Sequence, residues 1–146
     1  MDLYLDTLLN LPNVTVEICS QVEDCIYLQL KFLNSGISCP ACSNYTDGLR
    51  QARPILIRDL PAFGKRVYLK IPHRQFYCSK CQRYRMERLE FVDWKQHHTY
   101  RYQEYIYQKI KAFIVQQIVQ EEQLSFEEVK SIFDHLSKEK KKGTVN

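Results

Sequence analysis

No stretch of this 146-residue chain approaches the ~18–20 consecutive apolar residues of a membrane-spanning helix, so no such span is expected. The first eleven residues hold Asp2 and Asp6 but no lysine or arginine, and so lack the charged start of a secretory signal. With nothing directing export, structural disulfides are not expected, and the expected location is the cytoplasm. Bases are scarce in residues 1–49, where Lys31 stands alone against six acids. Catalytic constellations are scarce too. His73, His97, His98, His135 and Glu127 are acid–base candidates, but no nucleophile–base pair is evident among them, and no enzyme activity is expected. Glycine and proline are missing from residues 91–142, which leaves that region free to run as helix.

What is present is two C-x-x-C pairs, Cys39-Pro40-Ala41-Cys42 and Cys78-Ser79-Lys80-Cys81. A C-x-x-C turn brings two thiolates close enough to occupy two corners of a tetrahedron with ~2.3 Å metal–sulfur bonds. Two such pairs complete the shell of one structural zinc. The loop between them is longer than the ~15–20 residues of the shortest zinc motifs, so it must contain a hairpin of its own, as in a zinc ribbon. A four-thiolate shell keeps no position for water, so the metal would be structural. Cys19 and Cys25 lie in apolar, strand-like stretches and read as core residues. His97-His98 reads as two exposed polar residues before a helix.

Positive charge is concentrated from between the pairs to just past the second one. Residues 50–88 carry eleven bases against Asp59 and Glu87, whereas residues 89–146 balance at nine against nine. A tetrathiolate zinc carries about −2 itself, which a few bases offset. The surplus is suited to phosphate. Together the metal knot and the single-sign block point to double-stranded DNA as partner. The expected contacts are Arg50, Arg53, Arg58, Lys65, Arg66, Arg74, Arg83 and Arg85. The aromatics among them, Phe63, Tyr68, Phe76, Tyr77 and Tyr84, read first as core and second as stacking surfaces. A zinc-ribbon module that binds protein is the alternative.

The patterning predicts an α+β protein: a β-rich, zinc-ribbon-like domain over residues 1–91, then a helical domain over 92–146. Leucines from Leu3 to Leu11 suggest a short helix stopped near Pro12. Val14, Val16 and Ile18 alternate on one face of a strand, and Ile26, Leu28, Leu30 and Phe32 on one face of the next, with Gln21–Asp24 as the turn. Residues 54–60 and 66–71 read as two more strands around a turn at Pro61-Ala62-Phe63-Gly64. Tyr102, Ile106, Ile110, Phe113, Ile114 and Ile118 recur at helical spacing. Ser125 and Glu128 form a capping box, with Leu124 and Val129 as its staple. Val129, Ile132, Phe133 and Leu136 follow as the buried face, and Gly143 as the stop after a lysine-rich end. The short polar link Glu121-Glu122-Gln123 suits a helix-turn-helix. Lys130 and Ser131 are its groove-facing candidates. The same last helix carries Glu127, Glu128 and Asp134, which suits a phosphate-lined groove poorly.

These motifs resemble a known family. C-P-A-C, R-D-L-P-A-F-G-K-R-V-Y-L, R-Q-F-Y-C-S-K-C and L-S-F-E-E-V-K-S-I-F are similar to the N-terminal part of ISL-three-type insertion-sequence transposases. The resemblance covers residues 11–142. It implies a zinc finger followed by a helix-turn-helix, with Cys39, Cys42, Cys78 and Cys81 matching the family's ligands and Arg58, Asp59, Leu60, Pro61 and Gly64 its turn. It further implies one structural Zn²⁺, binding to the terminal repeats of an insertion sequence, a nucleoid-associated location, and full-length transposase or a second copy as further partners. The family's catalytic domain would begin about where this chain stops.

Overall fold

The computed structural model describes residues 3–144; Met1, Asp2, Val145 and Asn146, and with them the ends of the two expected domains, lie outside the described residues. The fold is α+β, a strand-rich sheet followed by helices. Helix α1 (Leu3–Leu9) leads into the hairpin β1 (Val14–Val22) and β2 (Cys25–Phe32). A two-stranded ribbon follows, β3 (Ile37–Ser38) with β4 (Tyr45–Thr46). The longest strands are β5 (Leu49–Ala62) and β6 (Lys65–Cys78), and β7 (Arg83–Met86) folds back on the end of β6. Short strands β8 (Val92–Asp93) and β9 (His98–Thr99) precede α2 (Tyr100–Ala112), α3 (Val115–Glu122) and α4 (Phe126–Thr144). The main sheet runs β1-β2-β6-β5-β9-β8, with β7 also on β6.

Hairpin β5–β6 is the spine. Its turn is the pair Phe63-Gly64, with φ of 52° and 74°, and Pro61-Ala62 belong to the strand. Two consecutive positive φ values suit the right-handed twist of a hairpin. On β6 the buried residues are Val67, Leu69 and Ile71, then Arg74, Phe76 and Cys78. The alternation skips one position after Ile71, so the strand presents opposite faces to two interiors. The first interior is the main core, where Val14, Val16, Leu28, Leu30, Phe32, Ile57 and Val92 meet Val67, Leu69 and Ile71 under Leu9 of α1. The second lies at the zinc end.

Two expectations on β1 are corrected. Ile18 is 53% exposed, because the β1–β2 register shifts between Val16 and Ile18 and Glu17 enters as an extra residue. Cys19 lies opposite buried Leu28, on the core side, and is exposed because it stands beyond the part of β1 that α1 covers; Cys25 is buried.

The helical region is three helices, and residues 91–99 are turn and strand instead of helix. The apolar stripe is interrupted at Phe113 and Ile114, both extended (ψ 159° and 148°) and both exposed. The break lets α3 fold back so that Ile118 packs with Tyr102, Ile106, Val129 and Ile132 in a second apolar core. The capping box forms: Glu128 N–H donates to Ser125 Oγ at 3.1 Å, and Ser125 N–H to Glu128 Oε1 at 3.4 Å. Leu124 and Val129 share that core. Phe133 stays 37% exposed, stacked on Tyr107, and α4 runs through Gly143 instead of stopping there.

Candidate metal centre and basic face

Each C-x-x-C pair is a turn at the mouth of a β-ribbon, the first between β3 and β4, the second between β6 and β7. The two repeat one geometry. Ala41 N–H points at Cys39 Sγ (3.4 Å) and Cys81 N–H at Cys78 Sγ (3.5 Å). The residue after each pair turns left-handed, Ser43 at φ 63° and Gln82 at φ 56°. The Ser43 N–H donates to the Cys39 carbonyl at 2.8 Å and closes the first turn. Gly36 supports it from behind, since a Cβ there would strike the Tyr45 hydroxyl and the Thr46 carbonyl. The ribbons are tied by Thr46 Oγ1 donating to the Tyr77 carbonyl (2.6 Å) and Tyr77 N–H to the Gly48 carbonyl (2.9 Å).

The four sulfurs converge. Cys39 and Cys81 stand 3.9 Å apart, Cys42 and Cys78 3.5 Å, and all four lie within 4.8 Å of one another. A tetrahedron with ~2.3 Å zinc–sulfur bonds has edges of ~3.8 Å, so the donor set fits one zinc ion. The electrostatics agree. Burial opposes ionisation of Cys39, but hydrogen bonds from the Ala41 and Cys42 backbone bring its pKa down to about 6. The Asn44 backbone favours the Cys42 thiolate, yet burial and the three neighbouring sulfurs push it up to about 12. Thiols this crowded cannot all ionise unless a cation sits among them. Arg85 supplies part of the compensation, its guanidinium held above its usual value by hydrogen bonding to Cys81.

The expected DNA contacts separate into groups. Arg50, Arg53 and Arg83 are exposed at the zinc end, with Arg50 stacked 4.2 Å over the Tyr84 ring. Lys80 and Arg88, not singled out from the sequence, are exposed at the same end. Arg58 and Arg74 are corrections, because both are buried in ion pairs and cannot reach a phosphate. Arg74 makes a two-pronged contact to Glu87 at 2.8 and 2.7 Å and donates to the Asn34 carbonyl at 2.9 Å. Arg58 reaches Glu122 on α3. Arg85 faces the thiolates. Lys65 and Arg66 are half-buried beside the β5–β6 turn, where Arg66 points at Cys25 Sγ (3.2 Å). On α4, Lys130 is exposed and Ser131 donates to Gln96 at 3.3 Å. Among the aromatics, Phe76 is core and Tyr68 stacks on Tyr27. Tyr77 and Tyr84 meet edge-on at the surface, and Phe63 is exposed.

Sequence reasoning missed a buried polar seam between sheet and helices. Glu122 accepts from Arg58, Tyr102, Tyr105 and Lys109. Asp59 accepts from Thr99 at 2.8 Å and from Arg101 at both carboxylate oxygens. His98 sits in this seam, only 4% exposed, which corrects its expected exposure; His97 is exposed. The R-D pair at 58–59 was the available signal, since two adjacent strand residues of opposite charge point to opposite faces and each needs its own partner.

No helix among the described residues is long and apolar enough to cross a membrane. No curated protein matches the chain, and no solved structure does. Residues 35–81, which hold both cysteine pairs and hairpin β5–β6, match the family described as the zinc-finger of transposase IS204/IS1001/IS1096/IS1165.

Proposed function

We propose that this chain is a zinc-dependent DNA-binding module of a transposase-like protein, holding the terminal repeats of an insertion sequence and performing no chemistry itself. The observation that carries the reading is the exposed cluster Arg50, Arg53, Lys80, Arg83 and Arg88 around a family-matched four-cysteine centre. Zinc fixes the two ribbons, and the ribbons hold these side chains on one end of the sheet. The acids exposed nearby are Asp47 and Glu90, so the end is net positive. Such a module works in the cytoplasm, on the nucleoid, beside full-length transposase.

The helices take the secondary role. Helix α3, the left-handed Gln123 and α4 have the order of a helix-turn-helix. Yet Glu127 and Glu128 lie exposed in the first turn of α4, where a recognition helix meets the groove. Backbone contact therefore falls to the ribbon, with Lys130 as the exposed base near the start of α4 and the other exposed lysines of that helix, Lys138, Lys141 and Lys142, at its far end.

The test is affinity of the zinc-loaded chain for a mixed-sequence duplex across a salt series. Five phosphate contacts predict a log–log slope of about −4.5. Duplexes bearing the inverted repeats that flank the gene should bind more tightly than mixed sequence. A flat slope, with a protein captured instead, would favour the interaction-module reading, for which the exposed Tyr45, Leu49, Tyr77 and Tyr84 are the supporting surface.

A further inference from the structure

Strand β1 ends the main sheet, and only its first part is covered. There Thr15 Oγ1 donates to Asp6 Oδ2 at 2.7 Å, and Val16 N–H to Asp6 Oδ1 at 2.8 Å, so α1 closes the edge as far as Val16. Beyond it the edge is open among the described residues. Val22 pairs with Cys25 across the two-residue turn Glu23-Asp24. Residues flanking such a turn exchange hydrogen bonds, and bonded and unbonded pairs then alternate along the strands. Val22, Ser20 and Ile18 thus bond to β2, while Gln21 and Cys19 turn their N–H and C=O groups outward. The open segment is Ile-Cys-Ser-Gln-Val, without charge or proline, the devices that usually block an edge. Ile18 and Val22 are 53% and 58% exposed.

We infer that this edge pairs with the same edge of a second copy, antiparallel, about a two-fold axis through Ser20. In that register Cys19 exchanges both backbone hydrogen bonds with Gln21 of the second copy, and the outward groups of each strand are satisfied. Ile18 packs beside Val22 of the second copy, on the face that carries Tyr27 and Leu56. No charged residue enters the five-residue span; Glu17 of one copy and Glu23 of the second face each other just outside it at each end, where both are exposed to solvent. The neighbouring registers fail. Centring on Cys19 brings Val16, already capped by Asp6, into the pairing. Centring on Gln21 sets Cys19 against Glu23 and Ile18 against Asp24. The partner is therefore this chain itself, and the inference does not rest on DNA binding.

The register is tested on the zinc-loaded full chain in a Cys19→Ser background. Antiparallel residues on a two-fold axis lie within disulfide reach, whereas those one or two positions away do not. Mild oxidation should give a covalent dimer for Ser20→Cys and little for Gln21→Cys or Val22→Cys. Sedimentation equilibrium should show a monomer–dimer equilibrium for the unmodified chain and loss of the dimer for Gln21→Pro, which removes an outward N–H. Ile18→Lys, at a site already exposed, gives the same readout should proline disturb the hairpin. A chain monomeric at all concentrations, equal cross-linking at all three positions, or a dimer indifferent to both edge variants would overturn the inference.

Discussion

Arg58 and Glu122 are 64 positions apart, yet Arg58 donates to the Glu122 backbone carbonyl at 2.8 Å and lies 3.4 Å from its carboxylate, with both side chains more than nine-tenths buried. One arginine of a β-strand thereby caps the end of α3 and joins the helices to the sheet. Its second service is aromatic, since the guanidinium lies 5.4 Å from the Tyr68 ring and 5.0 Å from the Tyr102 ring.

The two partners are not equivalent, because Glu122 keeps its ion pair to Lys109 when Arg58 is removed, whereas Arg58 has its ion pair to Glu122 alone among the described residues. Glu122→Gln should destabilise the fold by about 3–5 kcal/mol, the usual cost of leaving one buried charge unpaired, and Arg58→Met by less. Glu122→Gln should cost more, because its carboxylate also serves Tyr102, Tyr105 and Lys109. The double variant should lose less than the sum. Urea unfolding of the four proteins checks this; strict additivity would show that the pair does not couple the two regions.

Metal removal should act locally. The helical core is built from residues 102–136 alone, and none of the four cysteines belongs to it. Chelation or Cys78→Ser should therefore expose the amides of residues 37–47 and 78–86 to exchange while α2–α4 stay protected. The loss is large, since structural zinc contributes about 10–16 kcal/mol of apparent binding energy in finger peptides. Native mass spectrometry should find one zinc per chain in the parent and none in the variant. A folded, metal-free parent would refute the site.

The cysteine pairs, the capping box and the strand alternation of β2 and β6 are legible in the sequence because each is a local pattern with one physical solution. What is not legible depends on distant partners. Arg58 and Arg74 read as free bases because nothing nearby in sequence announces Glu122 or Glu87 as their counter-ions. Phe113 and Ile114 continue a helical stripe with no glycine or proline to mark the break; the bend is imposed by packing of Ile118 against Tyr102 and Ile106. The skipped position after Ile71 likewise follows from β6 serving two interiors.

His98 makes the fold pH-dependent. Burial is the main cause holding its pKa below the usual value; nearby Arg58 acts in the same direction, and Glu128, 3.7 Å away, opposes it. The unfolded chain therefore takes up this proton more readily than the folded one. Stability from this group is complete above about pH 6.5 and declines as pH falls toward the folded value, by about 1.4 kcal/mol for each tenfold difference in proton affinity between the two states. His73, stacked on Trp94 and also held below its usual value by burial, adds to the same slope. Thermal unfolding between pH 7 and pH 5 should show a shallower decline for His98→Phe than for the parent, and identical slopes would rule His98 out.

The DNA-binding face is tested by comparing bases that the fold exposes with bases that it consumes. Arg50→Ala with Arg83→Ala should weaken binding to any duplex and flatten the salt slope by about two units, one phosphate for each arginine. Lys65→Ala with Arg66→Ala should do less. These two sit at the opposite end of the 14-residue strand β6, about 40 Å away at ~3.3 Å per residue. Glu23 and Asp24, in the adjoining β1–β2 turn, also offset their charge. Lys130→Ala should alter sequence preference with little change in non-specific affinity, as expected for a helix that touches base edges and adds few phosphate contacts. Arg74→Ala should lower stability through its unpaired partner Glu87 and leave the salt slope of the remaining folded protein unchanged. If the Lys65 and Arg66 changes dominate instead, the duplex lies across the turn end of the hairpin, and the zinc end is a scaffold and not the contact.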